Sequence, residues 1–262
     1  MKNTQRNELA VCGFAAVKTL EKVNWERITR LYFSQERASL FGGLCKKMAT
    51  AKKPYNQVKD ISELERLCGS VHHQGVVAMI EMPEVLPLNT DITSEWVIKN
   101  ESTIVLDRVG NANNLGAVVR SAAFFGIQNI VIPLDEAQSS ITTSSYRVAE
   151  GGMEFVKVYS IKSIPRLLND MKGRMVTIGT ALDATEDVSL LRTVCRNKPS
   201  IIVLGNEEHG ISDEVKRCCD HLVIIPYSGI TAGTTGPKMD SLNVAQASAV
   251  VMYELSSARR SK

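Results

Sequence analysis

The stretch TIVLDRVGNANNLGAVVRSAAFFGIQNIVIP, residues 103–133, sets two short apolar runs on either side of a segment with helical periodicity. The runs TIVLD and NIVIP are continuously apolar, which is typical of strands that are covered on both faces of a sheet. Between them, Asn113 or Asn114 is expected to cap the start of a helix, and Gly126 is expected to end it. The buried stripe of that helix is predicted to be Leu115, Val118, Val119 and Ala122. A strand, a helix and a second strand in this order predict a parallel arrangement.

Further apolar runs follow at intervals: FVKVY at 155–159, MVTIGTAL at 175–182, SIIVLGNE at 200–207 and HLVIIP at 221–226. Helical patterns separate them, so residues 103–262 are predicted to form an α/β domain around a parallel sheet. Ligands of such sheets bind beyond the carboxyl ends of the strands. Polar residues that directly follow each run are therefore the candidates for a functional site.

The front of the chain, residues 1–85, is predicted to be a separate small α/β domain. AVCGFAAVKTLEKV at 10–23 has the periodicity of a helix, RITRLYF at 27–33 and GVVAMIEM at 75–82 read as strands, and helices are expected near Met48 and at ISELERLC. Two prolines and several small polar residues interrupt the pattern after that point, so residues 86–102 are predicted to be a linker.

Composition excludes several protein classes. The chain has 262 residues, of which 44% are hydrophobic and 23% charged, so wholesale disorder is not expected. The sequence contains neither an apolar window long enough to span a membrane nor a signal peptide, which predicts a cytoplasmic protein without a membrane partner. The six cysteines have no zinc-ligand spacing, so we expect reduced thiols and no metal.

Charge is unevenly distributed between the two predicted domains. Residues 1–88 contain 13 Lys and Arg against 9 Asp and Glu, although the whole chain has a net charge of only +3. Two lysine pairs, at 46–47 and 52–53, belong to this excess. They are interpreted either as solvated helix faces or as a weak surface that attracts phosphate.

Polar candidates follow three of the predicted strands. Arg120 lies roughly opposite the apolar stripe of its helix, and Asn206 and Glu207 follow the run that ends at Gly205. Ser241 and Asn243 precede a helix of small residues, which is typical of crowded backbones within a domain or between two copies of it. Taken singly, Arg120 also fits an exposed helix face, and Ser241 also fits a simple N-cap.

Together these segments form three motifs that occur in order over about 150 residues: NNLGAVVRSAAFFG at 113–126, VLGNEEHGIS at 203–212, and IPYSG at 225–229 with DSLNVAQASAVVMYE at 240–254. They resemble the motifs of the SpoU (TrmH) family of RNA 2′-O-ribose methyltransferases in the SPOUT superfamily. The segments VCGFAAVKTL and HHQGVVAMIE are similar to the ribosomal-protein-like RNA-binding domain that precedes the catalytic domain in many of these enzymes.

The resemblance implies an α/β trefoil knot, with residues 226–243 as its closing loop around S-adenosylmethionine, and a homodimer with the final helix near its interface. Matched position by position, it implies the catalytic residues Asn114, Arg120, Glu207, Ser241 and Asn243. The implied walls of the S-adenosylmethionine site are Gly179, Thr180, Ala181, Leu182, Leu204, Gly205, Asn206, Glu207, Ile224, Ile225, Ser241, Leu242 and Asn243.

The expected function is methyl transfer from S-adenosylmethionine to a ribose 2′-hydroxyl in rRNA or tRNA, with the front domain binding RNA. Two departures from the family pattern keep alternatives open: Asn111 and Ala112 stand where the family usually has Asp-Pro, and residues 230–239 look like an insertion in the loop over the cofactor. The longer loop favours a non-catalytic RNA-binding or ribosome-assembly protein on the same fold. Methylation of a base nitrogen is a further alternative.

Overall fold

The computed structural model describes residues 7–227 and 241–260. These residues divide into two compact units. Unit 1 contains the described residues up to Glu84 together with Ser140–Phe155, and unit 2 contains Val85–Ser139 together with the described residues from Val156 onward.

Strands and helices alternate along the chain. The strands are β1 (Glu8–Cys12), β2 (Ile28–Phe33), β3 (Tyr55–Gln57), β4 (Val76–Glu81), β5 (Leu86–Pro87), β6 (Ser102–Asp107), β7 (Asn129–Pro133), β8 (Lys157–Ile161), β9 (Val176–Thr180), β10 (Glu186–Asp187), β11 (Ser200–Gly205) and β12 (His221–Ile224). The helices are α1 (Phe14–Asn24), α2 (Gly42–Thr50), α3 (Ser62–Cys68), α4 (Thr90–Lys99), α5 (Ala112–Phe125), α6 (Thr143–Ala149), α7 (Ile164–Met171), α8 (Leu191–Val194), α9 (Asp213–Cys218) and α10 (Val244–Arg260).

Unit 1 is built on a mixed four-stranded sheet in the order β1-β4-β2-β3. Strand β4 is antiparallel to both of its neighbours, and β3 is parallel to β2. The prediction of one helix over residues 10–23 was wrong at its start, because Ala10–Cys12 belong to β1. Gly13, whose φ of 98° is accessible mainly to glycine, separates the buried strand from α1.

Residues 140–155 complete unit 1, although they lie between strands of unit 2 in the sequence. Helix α6 begins with a capping box, in which Thr142 and Ser145 each accept a hydrogen bond from the other's backbone N–H. Arg27 joins this segment to the rest of the unit. Its Nη1 lies 2.9 Å from Glu154 Oε2, and its Nη2 donates to the Tyr146 hydroxyl at 3.0 Å. Burial raises the pKa of Tyr146, which is 3% exposed.

Unit 2 is built on an eight-stranded sheet in the order β10-β12-β9-β11-β6-β7-β8-β5. Every neighbouring pair is parallel. The predicted α/β class and parallel sheet are confirmed, and β6 and β11 are buried along their whole length, as the continuous apolar runs required.

The predicted linker, residues 86–102, has regular structure. Leu86 and Pro87 form the edge strand β5, where a proline without an N–H is tolerated. Asn89 caps α4 by accepting the Ile92 N–H at 3.0 Å, and Trp96 of this helix packs on Tyr159 with ring centres 5.7 Å apart. The proposed domain boundaries, 1–85, 86–102 and 103–262, remain predictions.

Helix α5 has the predicted buried stripe and ends at Gly126, whose φ is 75°. Its cap is Asn111, which accepts the Asn113 N–H at 2.8 Å, and the expectation of Asn113 or Asn114 was wrong by two or three residues. The capping residue directly precedes the first helical residue, and α5 begins at Ala112, so Asn113 and Asn114 already belong to its first turn.

Helix α10 packs against α5 and α8. A bidentate ion pair between Arg192 and the buried Glu254 joins α8 to α10. Of the predicted closing loop, residues 228–240 lie outside the described residues, and so does the predicted insertion at 230–239. No helix of the described chain is both long and apolar enough to cross a membrane.

Candidate functional site

The loops that follow β9, β11 and β12 surround a cavity of about 490 Å³, here called the strand-tip cavity. Because parallel strands end at the same edge of the sheet, three separate stretches of sequence meet there. The start of α10 closes one side through Val244 and Ala247. A volume of this size is within the usual range for small-molecule sites.

Most of the residues predicted to hold the cofactor line this cavity. They are Thr180, Ala181, Leu182, Leu204, Gly205, Asn206, Glu207, Ile224, Ile225, Ser241 and Leu242. Gly179 does not line it: a Cβ there would come within 2.5 Å of the Ile211 side chain, so this glycine makes room for a wall of the cavity. Asn243 also lies outside the lining and contacts Asn114 instead.

A tight loop after β11 forms the floor of the cavity. The N–H of Asn206 donates to the Gly210 carbonyl at 3.2 Å, and the N–H of Gly210 donates to the Asn206 carbonyl at 2.8 Å. Gly205 lies so close beneath this bridge that a Cβ would be 2.2 Å from the Gly210 carbonyl carbon. Only glycine at position 205 is compatible with this loop.

The side chain of the last residue of β6 and the backbone carbonyl of the residue after it hold the same loop in place. Asn206 Nδ2 donates to the Arg108 carbonyl at 3.0 Å, and the Ser212 N–H donates to buried Asp107 Oδ2 at 3.1 Å. Arg108 Nε donates to Asp107 Oδ1 at 2.9 Å, and this hydrogen bond raises the pKa of Arg108. The sequence analysis did not identify Asp107 and Arg108, whose contacts span about a hundred residues.

Three of the predicted catalytic residues form one hydrogen-bonded network at the edge of the cavity. Asn114 Nδ2 donates to Glu207 Oε1. Asn243 Nδ2 donates to Asn114 Oδ1 at 3.3 Å. The network joins α5, the loop after β11 and the residue that precedes α10. Asn243 also caps that helix, since its Oδ1 accepts the Ala245 N–H at 2.9 Å.

The other two predicted catalytic residues are placed differently. Ser241 lines the cavity and is exposed. Arg120 is exposed on α5 and does not line the cavity. It is six residues beyond Asn114, which is about 9 Å farther along the helix axis.

Lys216 and Asp183 were not anticipated by the sequence analysis. Both line the cavity, and Lys216 Nζ lies 3.0 Å from Asp183 Oδ1 and 2.9 Å from Oδ2. This hydrogen bonding lowers the pKa of Asp183. Asp183 could have been identified as a candidate because it directly follows an apolar run. No pattern in the sequence links it to a lysine 33 residues later.

The lining suits S-adenosylmethionine. Its lining includes the apolar side chains of Ala181, Leu204 and Val223, which suit a flat adenine ring, and the strand tips contribute backbone groups to it. Glu207 and Glu208 also line the cavity, and their carboxylates would favour a cationic ligand over an anionic one. Within residues 7–227 and 241–260, no cluster of three or more His, Cys, Asp or Glu side chains could hold a metal ion.

A parallel sheet with a cavity at the strand tips, beside an amide–carboxylate network, places this chain among the α/β proteins that bind a ligand at the carboxyl ends of their strands. Two family models match the chain. The SpoU rRNA Methylase family covers residues 101–253, and the RNA 2′-O ribose methyltransferase substrate-binding family covers residues 10–86. The chain therefore belongs to the SpoU rRNA methylase family, and it is an RNA 2′-O-ribose methyltransferase that uses S-adenosylmethionine.

Relatives cover nearly the whole chain. The 23S rRNA (guanosine-2′-O-)-methyltransferase RlmB of Acinetobacter baylyi is 30% identical over 249 residues, which cover 92% of this chain and 94% of that protein. The enzyme of the same name from Ralstonia nicotianae is 32% identical over 243 residues, covering 92% of each.

Solved structures show the same fold. The SpoU methyltransferase AviRb from Streptomyces viridochromogenes, in complex with AdoMet, matches with a TM-score of 0.70 at 21% identity, over 97% of this chain and 91% of that one. The AdoMet-bound rRNA methyltransferase from Sinorhizobium meliloti matches with a TM-score of 0.71 at 19% identity, over 96% and 88%.

Proposed function

We propose that this enzyme methylates the ribose 2′-hydroxyl of a guanosine in large-subunit rRNA, in the strand-tip cavity. The observation that carries the proposal is the network of Asn114, Glu207 and Asn243 at the cavity edge. The rRNA and guanosine assignments are supported by the relatives named above, which share about 30% of their residues with this chain over almost its full length.

Asn114 is proposed to orient the ribose hydroxyl. One N–H of its amide group donates to Glu207, and its carbonyl oxygen accepts a hydrogen bond from Asn243. One N–H donor and one acceptor site of Asn114 therefore remain for the substrate. A side chain held at both ends keeps its orientation when substrate arrives, which is what a hydroxyl aligned to within ~3.5 Å of its target requires. Glu207 and Asn243 are thus positioning residues. Ser241, in the wall of the cavity, is proposed as a second side chain that hydrogen-bonds to the ribose hydroxyl.

S-adenosylmethionine, when bound, supplies a methyl group already activated by its sulfonium. The protein therefore has to activate the ribose hydroxyl, which is a poor nucleophile until it loses its proton. The backbone and apolar side chains at the strand tips are proposed to hold the adenine. Gly179 and Asn243, which were predicted to line the cofactor site, are proposed to act indirectly. Gly179 makes room for the Ile211 side chain, and Asn243 holds Asn114.

Arg120 is proposed to hold the target phosphate and to favour the developing alkoxide. A guanidinium is a permanent cation in proteins, so the role proposed for Arg120 is electrostatic and not that of the base. A phosphate oxygen or a water takes the proton. Because Arg120 does not line the cavity of its own chain, we assign this role to Arg120 of a second copy.

A homodimer through α5 and α10 is the assembly that would bring such an arginine to the site. Phe124 stands four residues after Arg120 on the same face of α5, and its side chain is 81% exposed. Phe125 and the half-exposed Tyr253 of α10 continue this aromatic patch, with ring centres 6.4 Å apart. Exposed aromatic patches of this kind mark protein–protein interfaces. The trefoil knot, whose closing residues 228–240 lie outside the described chain, is part of the same proposal.

Unit 1 is proposed to capture RNA. The ammonium groups of Lys47 and Lys53 lie 5.6 and 5.7 Å from the ring centre of Trp25. Lys53 Nζ also donates to the Glu26 backbone carbonyl, and neither lysine is ion-paired to a carboxylate among the described residues. Two uncompensated cations beside one half-buried indole form a surface that attracts the RNA backbone.

The cytoplasm is the proposed compartment. All six cysteines are free thiols, including the buried Cys12 and Cys68. Free thiols throughout a chain are typical of a reducing environment.

The test is to incubate the purified protein and labelled S-adenosylmethionine with total RNA from cells that lack its gene, and then to map 2′-O-methyl positions. Label at one guanosine of large-subunit rRNA is expected. Label confined to tRNA would overturn the rRNA assignment, and label on a base would overturn the proposed acceptor.

A further inference from the structure

The strand-tip cavity has a second polar group besides the Asn114 network. Asp183 lies in the loop after β9, and Lys216 lies on α9. Both carboxylate oxygens of Asp183 are within 3.0 Å of Lys216 Nζ, and both residues line the cavity. The side chain of Asp183 is 70% exposed, while that of Lys216 is only 23% exposed.

The hydrogen-bonding capacity of this pair is not exhausted. An ammonium has three donors, and two of them go to Asp183. A carboxylate has about four acceptor sites, of which Lys216 uses two. Asp213 Oδ1 lies 3.8 Å from Lys216 Nζ, which is too far to take the third donor, so the pair offers the cavity at least one free donor and two free acceptors.

The charge of the pair selects among the polar groups of the cofactor. Lys216 is the only Lys or Arg among the described residues that line the cavity. The cofactor's own carboxylate would be attracted by Lys216 but repelled by Asp183. Its ammonium would be attracted by Asp183 but repelled by Lys216. A neutral vicinal diol avoids both conflicts, since both hydroxyls can donate to Asp183 and one of them can accept from the remaining donor of Lys216.

We propose that Asp183 and Lys216 recognise the 2′- and 3′-hydroxyls of the cofactor's adenosine ribose. The inference rests on the proposed cofactor site and adds to it the two side chains that distinguish a ribonucleoside from other ligands of the same apolar cavity. Carboxylates after strand tips serve this purpose in other α/β sheets. Asp183 and Lys216 are binding residues here and take no part in the chemical step.

Calorimetric titration of three variants tests the proposal: Asp183→Ala, Lys216→Met and the control Asp170→Ala. Asp170 is an exposed carboxylate on α7, with its Oδ2 3.8 Å from Arg166 Nε, and does not line the cavity. The probes are S-adenosylhomocysteine and its 2′,3′-dideoxy analogue. Thermal melting of each variant checks that it is folded.

The two cavity variants are expected to bind S-adenosylhomocysteine about tenfold more weakly than the wild type, and the control is expected to bind it equally well. The wild type is expected to bind the dideoxy analogue more weakly than S-adenosylhomocysteine by the same factor. Each cavity variant is expected to bind the two probes with equal affinity. Equal binding of S-adenosylhomocysteine by all proteins would overturn the proposal. So would an equal loss for both probes, which would indicate that the pair contacts the amino-acid end or only supports the loop.

Failure of this inference differs from failure of the proposed function. If the proposed function holds and the inference fails, the wild type binds S-adenosylhomocysteine and the cavity variants bind it equally well. A folded wild type that binds neither probe would overturn both.

Discussion

The two sheets of this protein present their functional groups in different ways. In unit 2 every strand runs in the same direction, so the residues after β9, β11 and β12 converge on one cavity although about 45 positions separate the first strand from the last. In unit 1 the sheet is mixed, and the basic groups near Trp25 lie on an open surface.

This difference determines how strongly single residues can matter. In a cavity, groups are fixed by mutual hydrogen bonds and partly removed from water, so each contributes a large, geometry-dependent effect. On an open surface, cations act mainly through long-range attraction, which salt screens. Substitutions in unit 2 should therefore change turnover or cofactor binding sharply, whereas substitutions in unit 1 should change RNA affinity modestly and in a salt-dependent way.

The largest effect is expected from Arg120→Ala in unit 2. Turnover should fall about a thousandfold, because the developing alkoxide loses its permanent cation. Affinity for S-adenosylhomocysteine should stay within about twofold, since Arg120 does not line the cavity. Single-turnover methyl transfer and calorimetry measure the two quantities.

Arg166→Ala is the matched control, because Arg166 is an exposed arginine of the same unit. It should leave turnover unchanged. Retained turnover in the Arg120 variant would remove this residue from the mechanism and weaken the contrast between the units.

The next largest effect is expected from Gly205→Ala. The new methyl group would meet backbone atoms of Gly210 and Ile211 within 2.3 Å, so the loop after β11 must shift. We expect the free energy of unfolding to fall by about 2–3 kcal/mol. Affinity for S-adenosylhomocysteine should fall as well. Chemical denaturation and calorimetry are the measurements.

Gly43→Ala in unit 1 is the control for this substitution, because a Cβ at Gly43 meets no atom within 4 Å. It should leave stability nearly unchanged or raise it slightly. If both alanines were equally neutral, the close packing under the cavity floor would have no energetic consequence.

The smallest effect is expected from the double variant Lys47→Ala and Lys53→Ala. RNA affinity should fall about tenfold at moderate ionic strength, and the slope of log K against log salt should flatten by about 1.4, or about 0.7 for each lost phosphate contact. Cofactor affinity should not change. Fluorescence anisotropy over a series of salt concentrations measures the slope.

Lys172→Ala with Lys198→Ala, both exposed lysines of unit 2, removes the same net charge from the other unit. An equal loss of RNA affinity in this control would mean that total charge matters and that the surface near Trp25 does not.

Local patterns predicted the core of unit 2 well. Continuous apolar runs located β6, β7 and β11, because strands covered on both faces need no alternation. The same reasoning failed at residues 10–12, where a buried strand and the following helix are both apolar and only Gly13 separates them. It did not reveal α4, a helix capped by Asn89 that begins shortly after the prolines at 83 and 87.

The site was predictable where one segment carries several functional groups. Gly205, Asn206 and Glu207 follow one strand, and the structure places all of them on the cavity. The pair of Asp183 and Lys216 could not be predicted, because its two members are adjacent only through the order of strands in the sheet. Arg120 could be assigned to the exposed face of its helix, and the structure places it there, outside the lining of the cavity.

The assignment of residues 140–155 to unit 1 bears on how this protein can be engineered. The polypeptide passes from one unit to the other at three points, after Glu84, Ser139 and Phe155. A fragment that began at residue 86 would expose Tyr146 and Met153, which are now buried, and would leave Glu154 without Arg27. Unit 1 therefore cannot be removed or exchanged at a single cut: its two segments, the described residues up to Glu84 and Ser140–Phe155, have to be replaced together.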